Sequence, residues 1–572
     1  MATNMSVIQS DILRHNIFSA DLAGPLKGQE SFITYTCDLL SNNFASYKIR
    51  SFVKHIFLTQ NLIDRYDELF PDDADVLPCA HTEIEITSEL MRSNPDMYHK
   101  YKVDRCQSIL TTLLDNTELG KPQIEFAVCS LAYQMLSDKV VVCNGNIWHF
   151  DKSVWVQCSS NAYLWNFLTS QLMLFIGTNR VSDHLESVTA REKIIKDLKL
   201  RLQDDFFEQK LDSKAEIISM HNGSFNTSSY SLSDPVPSDY VSVQAGVPYY
   251  IFDDNSKKIS RLLKILSSIF TEPYVLDFFI TSCATFLEGY NINKTFYVWW
   301  GMGNNAKSLI QSLVLKTLGE YCSTAPTSLI TGRRTSSANA TPDLCHVEKR
   351  LVVFLQEPNP DETIRAGVLK EMTGNDMIYV RQLFKNGRNA PFKAKLVLVC
   401  NNVVDIPCMD SALKRRITVI PFTSTFLTER EYASREAKGT LDENACIINP
   451  KVETDLLDSC PAFMYLICRR FHEIQGFPYA VPQYIQNVTE LYLTSNNYPM
   501  IFIQYYVTSV EGSSLMTTDV YELFKDWYKR SYPGKRPDNL DTFRNQLVTE
   551  GYVESEGSII GAFVSYTSPI IT

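Results

Sequence analysis

Residues 295–319 read TFYVWW (295–300), then Gly301-Met302-Gly303-Asn304-Asn305-Ala306-Lys307-Ser308, then LIQSLVLKTLG (309–319). The aromatic and β-branched run predicts a buried strand, the small residues a loop, and the apolar spacing that follows an amphipathic helix. Strand, small-residue loop and helix, in that order, is the context a phosphate-binding loop requires. Small residues let backbone N–H groups point inward at phosphate oxygens, Lys307 adds a positive charge, and the Ser308 hydroxyl suits a divalent cation. The helix N-terminus adds its partial positive charge. One position departs from G-x-x-x-x-G-K-[ST]: Ala306 stands where the second glycine is expected, so the loop carries a Cβ beside its ligand.

Further along, Arg350-LVVFLQ-Glu357-Pro358 is an apolar run ending in a carboxylate, fifty residues after Lys307. A carboxylate at such a strand end can hold Mg²⁺ and polarise an attacking water, which makes Glu357 the candidate base. Gln356 occupies the preceding place, where a second acid is common, so metal binding leans on Ser308, Glu357 and water. A third apolar run, KLVLVC (395–400), ends in Asn401-Asn402. Alone the pair suits a turn; after two such strands, Asn401 reads as an amide that orients water or touches a terminal phosphate without adding charge. LKRRITVIPF (413–422) then sets Arg415 and Arg416 ahead of another apolar run. A guanidinium there can reach a phosphate, and a surface salt bridge is the plainer alternative.

Between the acid and the amide lies a basic island. Residues 370–395 hold Lys370, Arg381, Lys385, Arg388, Lys393 and Lys395 against Glu371 and Asp376. LFKNGRNAPF (383–392) reads as a hairpin whose Asn-Gly turn projects Lys385 and Arg388, suited to backbone-phosphate contact without base readout. Charge runs are commonly just solvated faces.

The whole chain of 572 residues is 45% hydrophobic and 21% charged, with a formal net charge of −11. That composition predicts folded protein with a sizeable core and excludes coating of nucleic acid by bulk charge. Nucleic-acid contact has to be local. The 14 cysteines are scattered without a C-x-x-C pair, which predicts reduced core thiols rather than a zinc site or disulfide scaffold. No run approaches the length of a membrane span, and MATNMSVIQSDILRH lacks the layout of a signal peptide, so the expectation is an intracellular protein.

The expected organisation is a helical N-terminal region (1–105), a mixed α/β module (106–255), the domain with the loop, acid and amide (256–440), a helical connector (441–510) and a small C-terminal domain (511–572). Asp72, Asp73 and Asp75 in PDDADV form a D-x-D-like cluster that reads as a solvated loop, since neither a buried strand nor further ligands accompany it.

Together GMGNNAKS, LVVFLQEP, LKEMTGNDMIYVRQLFKN, KLVLVCNN and LKRRITVIPF resemble, in order and spacing, the motif set of superfamily 3 helicases, and most of all the poxvirus primase-helicase type. IWHFDKSVW and MHNGSFNTSSYSLSDPVPSDYVS look like that type's N-terminal accessory domain, so the resemblance covers about 115 to 572. It implies an α/β fold with an AAA+ P-loop ATPase core, a C-terminal winged helix, and a homohexameric ring with ATP sites between subunits. It also implies Mg²⁺ as cofactor, single-stranded or forked DNA as partner, and work in viral or mobile-element DNA replication inside the host cell. Residue by residue, Gly301 to Ser308 bind triphosphate, Ser308 and Glu357 take Mg²⁺, Glu357 activates water, Asn401 senses, and Arg416 acts on a neighbour's site. Lys370, Arg381, Lys385 and Arg388 face DNA. The roughly 110 N-terminal residues are too few for that type's primase domain, so a separate primase and polymerase are expected. A nucleotide-binding scaffold and a packaging or origin-melting ATPase are the competing readings.

Overall fold

The computed structural model describes residues 54, 83–93, 95–158, 160–253, 255–332, 340–359, 362–381, 383, 387–404, 406, 410–475, 479–495, 498–531 and 537–565. The helices expected from SFITYTCDLL and SFVKHIFLTQNLIDRYDELF, the cluster at Asp72, Asp73 and Asp75, and Lys385 lie outside them. The chain forms two units, 1–225 with 232–244, and 226–231 with 245–572. The division falls about ten residues before the boundary read from the sequence.

The first unit contains helices α1 (Glu83–Ser93), α2 (Pro95–Asp115) and α3 (Lys121–Leu136), a meander β1 (Val140–Cys143), β2 (Asn146–Asp151) and β3 (Val154–Cys158), and helix α4 (Val188–Arg201). Asn144 (φ 51°) and Gly145 (φ 78°) join β1 to β2. Both in the left-handed region, they form the tight turn that matches the strands' twist. Val128, Leu131 and Leu136 of α3 share one core with Ile147 of β2 and Leu198 of α4. The buried carboxylate of Asp138 accepts hydrogen bonds from the Tyr98 hydroxyl and Lys102, which ties α2 to the turn after α3.

The second unit is built on β4 (Phe296–Trp300), β5 (Cys322–Ala325), β6 (Val352–Leu355), β9 (Lys395–Cys400) and β10 (Ile417–Pro421). They form one parallel sheet in the order β10-β4-β9-β6-β5. Burial on both faces explains their unbroken apolar sequences: Phe296, Val298 and Trp299 are fully buried, as are Val352 to Phe354. Helices α5 (Lys257–Ile269), α6 (Pro273–Ala284), α7 (Lys307–Leu318) and α9 (Cys460–Ile474) accompany the sheet. So does α10 (Gln483–Thr494), which runs along the β10 edge, where the Val419 N–H donates to Thr489 Oγ1 at 3.0 Å. A side chain thus satisfies an edge amide that would otherwise face open. The segment read as a connector therefore belongs to the sheet's own packing. Between β6 and β9 lie α8 (Ala366–Thr373) and a hairpin of β7 (Met377–Val380) with β8 (Arg388–Pro391).

Residues from Tyr498 onward make a last cluster: α11 (Tyr498–Tyr506), β11 (Val507–Met516), α12 (Thr517–Ser531), α13 (Leu540–Thr549), β12 (Val553–Ser555) and β13 (Ser558–Val564). The three strands form an antiparallel sheet in the order β11-β13-β12 over Phe502, Phe524, Phe543 and Leu547. The cluster begins thirteen residues earlier than the sequence boundary at 511, because α11 supplies part of its core.

Candidate nucleotide site

The order of strands decides where the motif residues meet. β4 lies between β10 and β9, and β9 lies between β4 and β6. In the parallel register Trp300 pairs with Cys400, and Leu398 with Leu355. The loop after β4, Asn401 after β9 and Glu357 after β6 therefore leave the sheet side by side at the carboxyl ends, the edge where open α/β sheets bind ligands.

The loop 301–306 turns tightly into α7. Ala306 adopts φ 63°, ψ 13°, the left-handed conformation for which glycine is the default residue. Its backbone thus does what the missing glycine would do, at a strain of about 1–2 kcal/mol. Gly301 is demanded by space: a Cβ there would lie 2.1 Å from Asn305 Nδ2 and 2.5 Å from the Phe422 carbonyl oxygen. Gly303 meets no such crowding, and Met302 is 83% exposed. Asn304 accepts from the Phe426 N–H at 2.8 Å, which ties the loop to the segment after β10.

Lys307 is only 6% exposed. Its ammonium donates to the Gly301 carbonyl at 2.6 Å, to Asn305 Oδ1 at 2.9 Å and to Asn401 Oδ1 at 2.8 Å. All three acceptors are neutral. Burial lowers its pKa from the ordinary lysine value, and an anionic ligand beside it would offset the cost of burying the cation. The Asn401 amide in turn donates to Glu357 Oε2 at 3.1 Å. Glu357 Oε1 accepts from both the backbone and the side-chain N–H of Asn402, each at 3.0 Å. Lysine, amide and carboxylate from three separate motifs thus form one hydrogen-bonded chain. Asn402, given no role from the sequence, orients the carboxylate. Its signal was only its place beside Asn401.

A nucleotide triphosphate with Mg²⁺ fits these residues. The Lys307 ammonium bonds neutral oxygens, Ser308 is exposed in the first turn of α7, and Glu357 is the half-buried carboxylate at the same sheet edge. Among the described residues no group of three His, Cys, Asp or Glu could hold a metal.

The arginines lie elsewhere. The Arg416 carbonyl accepts from the Phe296 N–H at 2.6 Å, at the amino end of β4. That end is on the order of 15 Å from the loop, the length of a five-residue strand. Its guanidinium donates to the Lys370 carbonyl at 2.6 Å and Thr373 Oγ1 at 2.8 Å, bracing the end of α8. Arg415 beside it is exposed.

The basic island is largely paired. Lys370 bonds Asp410, whose carboxyl that contact holds below its usual pKa. Arg388 meets Glu348 at 2.6 Å. Lys395 is 2% exposed, bonds Glu288 at 3.1 Å and faces no solvent. The Arg381 backbone exchanges two hydrogen bonds with Thr341, each at 2.9 Å. The hairpin itself forms, with Val380 paired to Arg388, and Gln382 and Phe384 to Asn386 between them lie outside the described residues. No helix among the described residues is long and apolar enough to cross a membrane.

No family model matches the chain. It is 27% identical over 368 residues to "Putative helicase L207/L206" of Acanthamoeba polyphaga mimivirus, covering 64% of this chain and 38% of the relative. It is 30% identical over 286 residues to "Putative helicase 022R" of Frog virus 3, covering 49% and 29%. To "Putative helicase 184R" of Invertebrate iridescent virus 6 it is 26% identical over 375 residues, covering 61% and 38%. The chain is thus similar to proteins named as helicases in large DNA viruses, and the matches span well under half of those relatives' length. Among solved structures, the C-terminal region of NrS-1 aligns at 11% identity and a TM-score of 0.36, over 74% of this chain and 86% of that one, a likeness too slight to carry an argument.

Proposed function

We propose that this chain is an ATP-dependent DNA helicase of superfamily 3, with an AAA+ core and a C-terminal winged helix, working as a homohexameric ring in viral or mobile-element DNA replication. One observation carries the reading: Lys307, Asn401 and Glu357, from three motifs up to ninety-four residues apart, form a single hydrogen-bonded chain at the carboxyl edge of a parallel sheet. A surface built only to bind nucleotide has no need of an oriented carboxylate there. The named helicases of large DNA viruses support the class, and the helix-strand-helix-helix-strand-strand order from 498 onward supports the winged helix.

In this reading Lys307 gives up Asn305 and Gly301 to receive the phosphates, with the loop N–H groups around them. Ser308 and Glu357 hold Mg²⁺, which when bound neutralises phosphate charge. Asn402 keeps Glu357 aimed, Glu357 takes a proton from water, and Asn401 stands between base and phosphate. Arg416 lies too far across the sheet to serve its own loop, so any phosphate it meets belongs to a neighbour. Arg415, exposed beside it, reaches a neighbour without undoing the brace on α8, and this second assignment is favoured by the bonds Arg416 already makes. Single-stranded or forked DNA meets the hairpin of β7 and β8, and a separate primase and polymerase complete replication.

The test is ATP hydrolysis stimulated by single-stranded DNA, beside Lys307→Ala and Glu357→Gln. Turnover lost in both, with nucleotide still bound by Glu357→Gln, is expected. Nucleotide binding without turnover in the wild type would leave the scaffold reading standing instead.

A further inference from the structure

The stretch that carries Asn401 is fixed from outside the motifs. Tyr492, in α10, is 1% exposed, and its hydroxyl accepts the Val404 N–H at 3.0 Å. The same hydroxyl lies 3.7 Å from Cys400 Sγ. Cys400 immediately precedes Asn401 and Val404 follows it by three residues, so one hydroxyl brackets the segment that presents both asparagines. The Tyr492 ring also meets Trp300 edge-on, with centroids 5.9 Å apart, and Trp300 is the last residue before the phosphate loop. Burial pushes the phenol's pKa far up, so the hydroxyl keeps its proton. Thr489, one turn earlier in α10, bonds the edge strand at Val419, away from the asparagines.

We propose that Tyr492 is a positioning residue for hydrolysis, setting the height of Asn401, and through Asn402 the aim of Glu357, against the phosphate loop. The inference rests on the ATPase reading. A tyrosine present only to fill the core would need no hydroxyl, since the ring alone supplies the contact with Trp300. The helix is followed closely by α11, whose Tyr498 and Phe502 belong to the C-terminal core.

Tyr492→Phe keeps the ring and removes the bond; Thr489→Val removes a hydroxyl bond of the same helix that does not touch the sensor. Both are made in the full chain and measured for DNA-stimulated kcat and KM, affinity for a non-hydrolysable ATP analogue, and thermal melting. One buried hydrogen bond that sets a reacting group predicts about a tenfold fall in kcat for Tyr492→Phe, with KM and analogue affinity within about twofold of wild type. Thr489→Val is expected to melt as early as Tyr492→Phe while keeping its kcat. Unchanged kcat in Tyr492→Phe, an equal kcat loss in both variants, or a loss carried by KM and analogue affinity would each overturn the proposal. A wild type without turnover would sink the ATPase reading and this inference together, whereas a turning-over wild type matched by Tyr492→Phe sinks the inference alone.

Discussion

Replacing Arg416 with alanine separates the two arginine assignments. The guanidinium makes two charge-assisted hydrogen bonds at the end of α8, at 2.6 and 2.8 Å. Hydrogen bonds to charged groups contribute about 1.5–3 kcal/mol each when buried. Arg416 is partly exposed, so the lower figure applies, and a cation at a helix C-terminus adds about 0.5 kcal/mol. The loss is then roughly 3.5 kcal/mol. The unit that contains it has roughly 330 residues, and at about 2.1 cal/mol/K per residue its unfolding entropy is about 0.7 kcal/mol/K. Melting should fall by about 5 °C. Arg415→Ala removes an exposed side chain, stays within about 0.5 kcal/mol of wild type and melts within about 1 °C of it. Scanning calorimetry gives the melting, and ATP turnover of each variant mixed with Lys307→Ala gives the functional half. Turnover lost in Arg415→Ala at wild-type melting, and partly restored on mixing, is the expected outcome. Arg416→Ala that melts like wild type, yet loses turnover and recovers it on mixing, would refute the brace and return the finger to Arg416.

Ala306→Gly should raise melting by about 1 °C, because release of about 1–2 kcal/mol of left-handed strain exceeds the roughly 0.5–1 kcal/mol of extra chain entropy that glycine brings to the unfolded state; a lower melting point in calorimetry would mean the loop is unstrained. Lys395→Met leaves the Glu288 carboxylate without its cation beneath the sheet and should cost about 3–5 kcal/mol, roughly 4–7 °C, with much of it recovered by adding Glu288→Gln. Burial pushes the Cys129 and Cys400 thiols up to about 12 from the ordinary 9.0, and raises Cys283, Cys322 and Cys468 as well. Raised folded values mean stability that is complete below pH 9 and lost as pH climbs from there towards 12. Burial also lowers Lys395 to about 8, a penalty relieved between pH 8 and 10.5, which works in the opposite direction. Burial lowers Lys307 and Lys139 as well, but five thiols outweigh three lysines, so denaturant midpoints should fall above pH 9, and a flat profile to pH 11 would contradict the buried thiols.

The strands were legible because each is a short, uninterrupted apolar run, and such runs are what burial on both faces selects. Glu357 and Asn401 were legible for the same reason, since a polar residue ending a buried run has to sit at the sheet's rim. Their contact was not, because which strands are neighbours depends on crossovers that leave no local signature. Ala306 looked like a departure when read as a residue type; as a backbone angle it conforms. The resemblance assigned Arg416 to a neighbour's site, while the bonds to Lys370 and Thr373 decide its local role, and these join residues more than forty positions apart. Tyr492 was invisible for a related reason: its partners at Cys400 and Val404 lie about ninety residues upstream, in a region the pattern assigned to another domain.

In the proposed helicase, the pairing of the basic island bears on how a strand would be held. Counting charges made residues 370–395 a positive island, but Lys370 is matched by Asp410 and Arg388 by Glu348. A phosphate at either cation shares it with a carboxylate already in place, so the charge it neutralises is partly spent and few counterions are freed. Binding to single strands loses affinity with salt at a slope of about 0.7 per phosphate neutralised. Arg388→Ala should therefore change the slope of log affinity against log salt by well under about 0.7 per protomer. Glu348→Gln, which unpairs Arg388 without moving it, should steepen the slope instead. Anisotropy of a labelled oligothymidine across a salt series reads both variants. A motor that must let go of its strand at each step is served by such half-committed cations, since contacts that bind too firmly resist translocation as much as they resist dissociation. Loss of a full phosphate's slope in Arg388→Ala, with Glu348→Gln indistinguishable from wild type, would show that the carboxylate imposes no such brake.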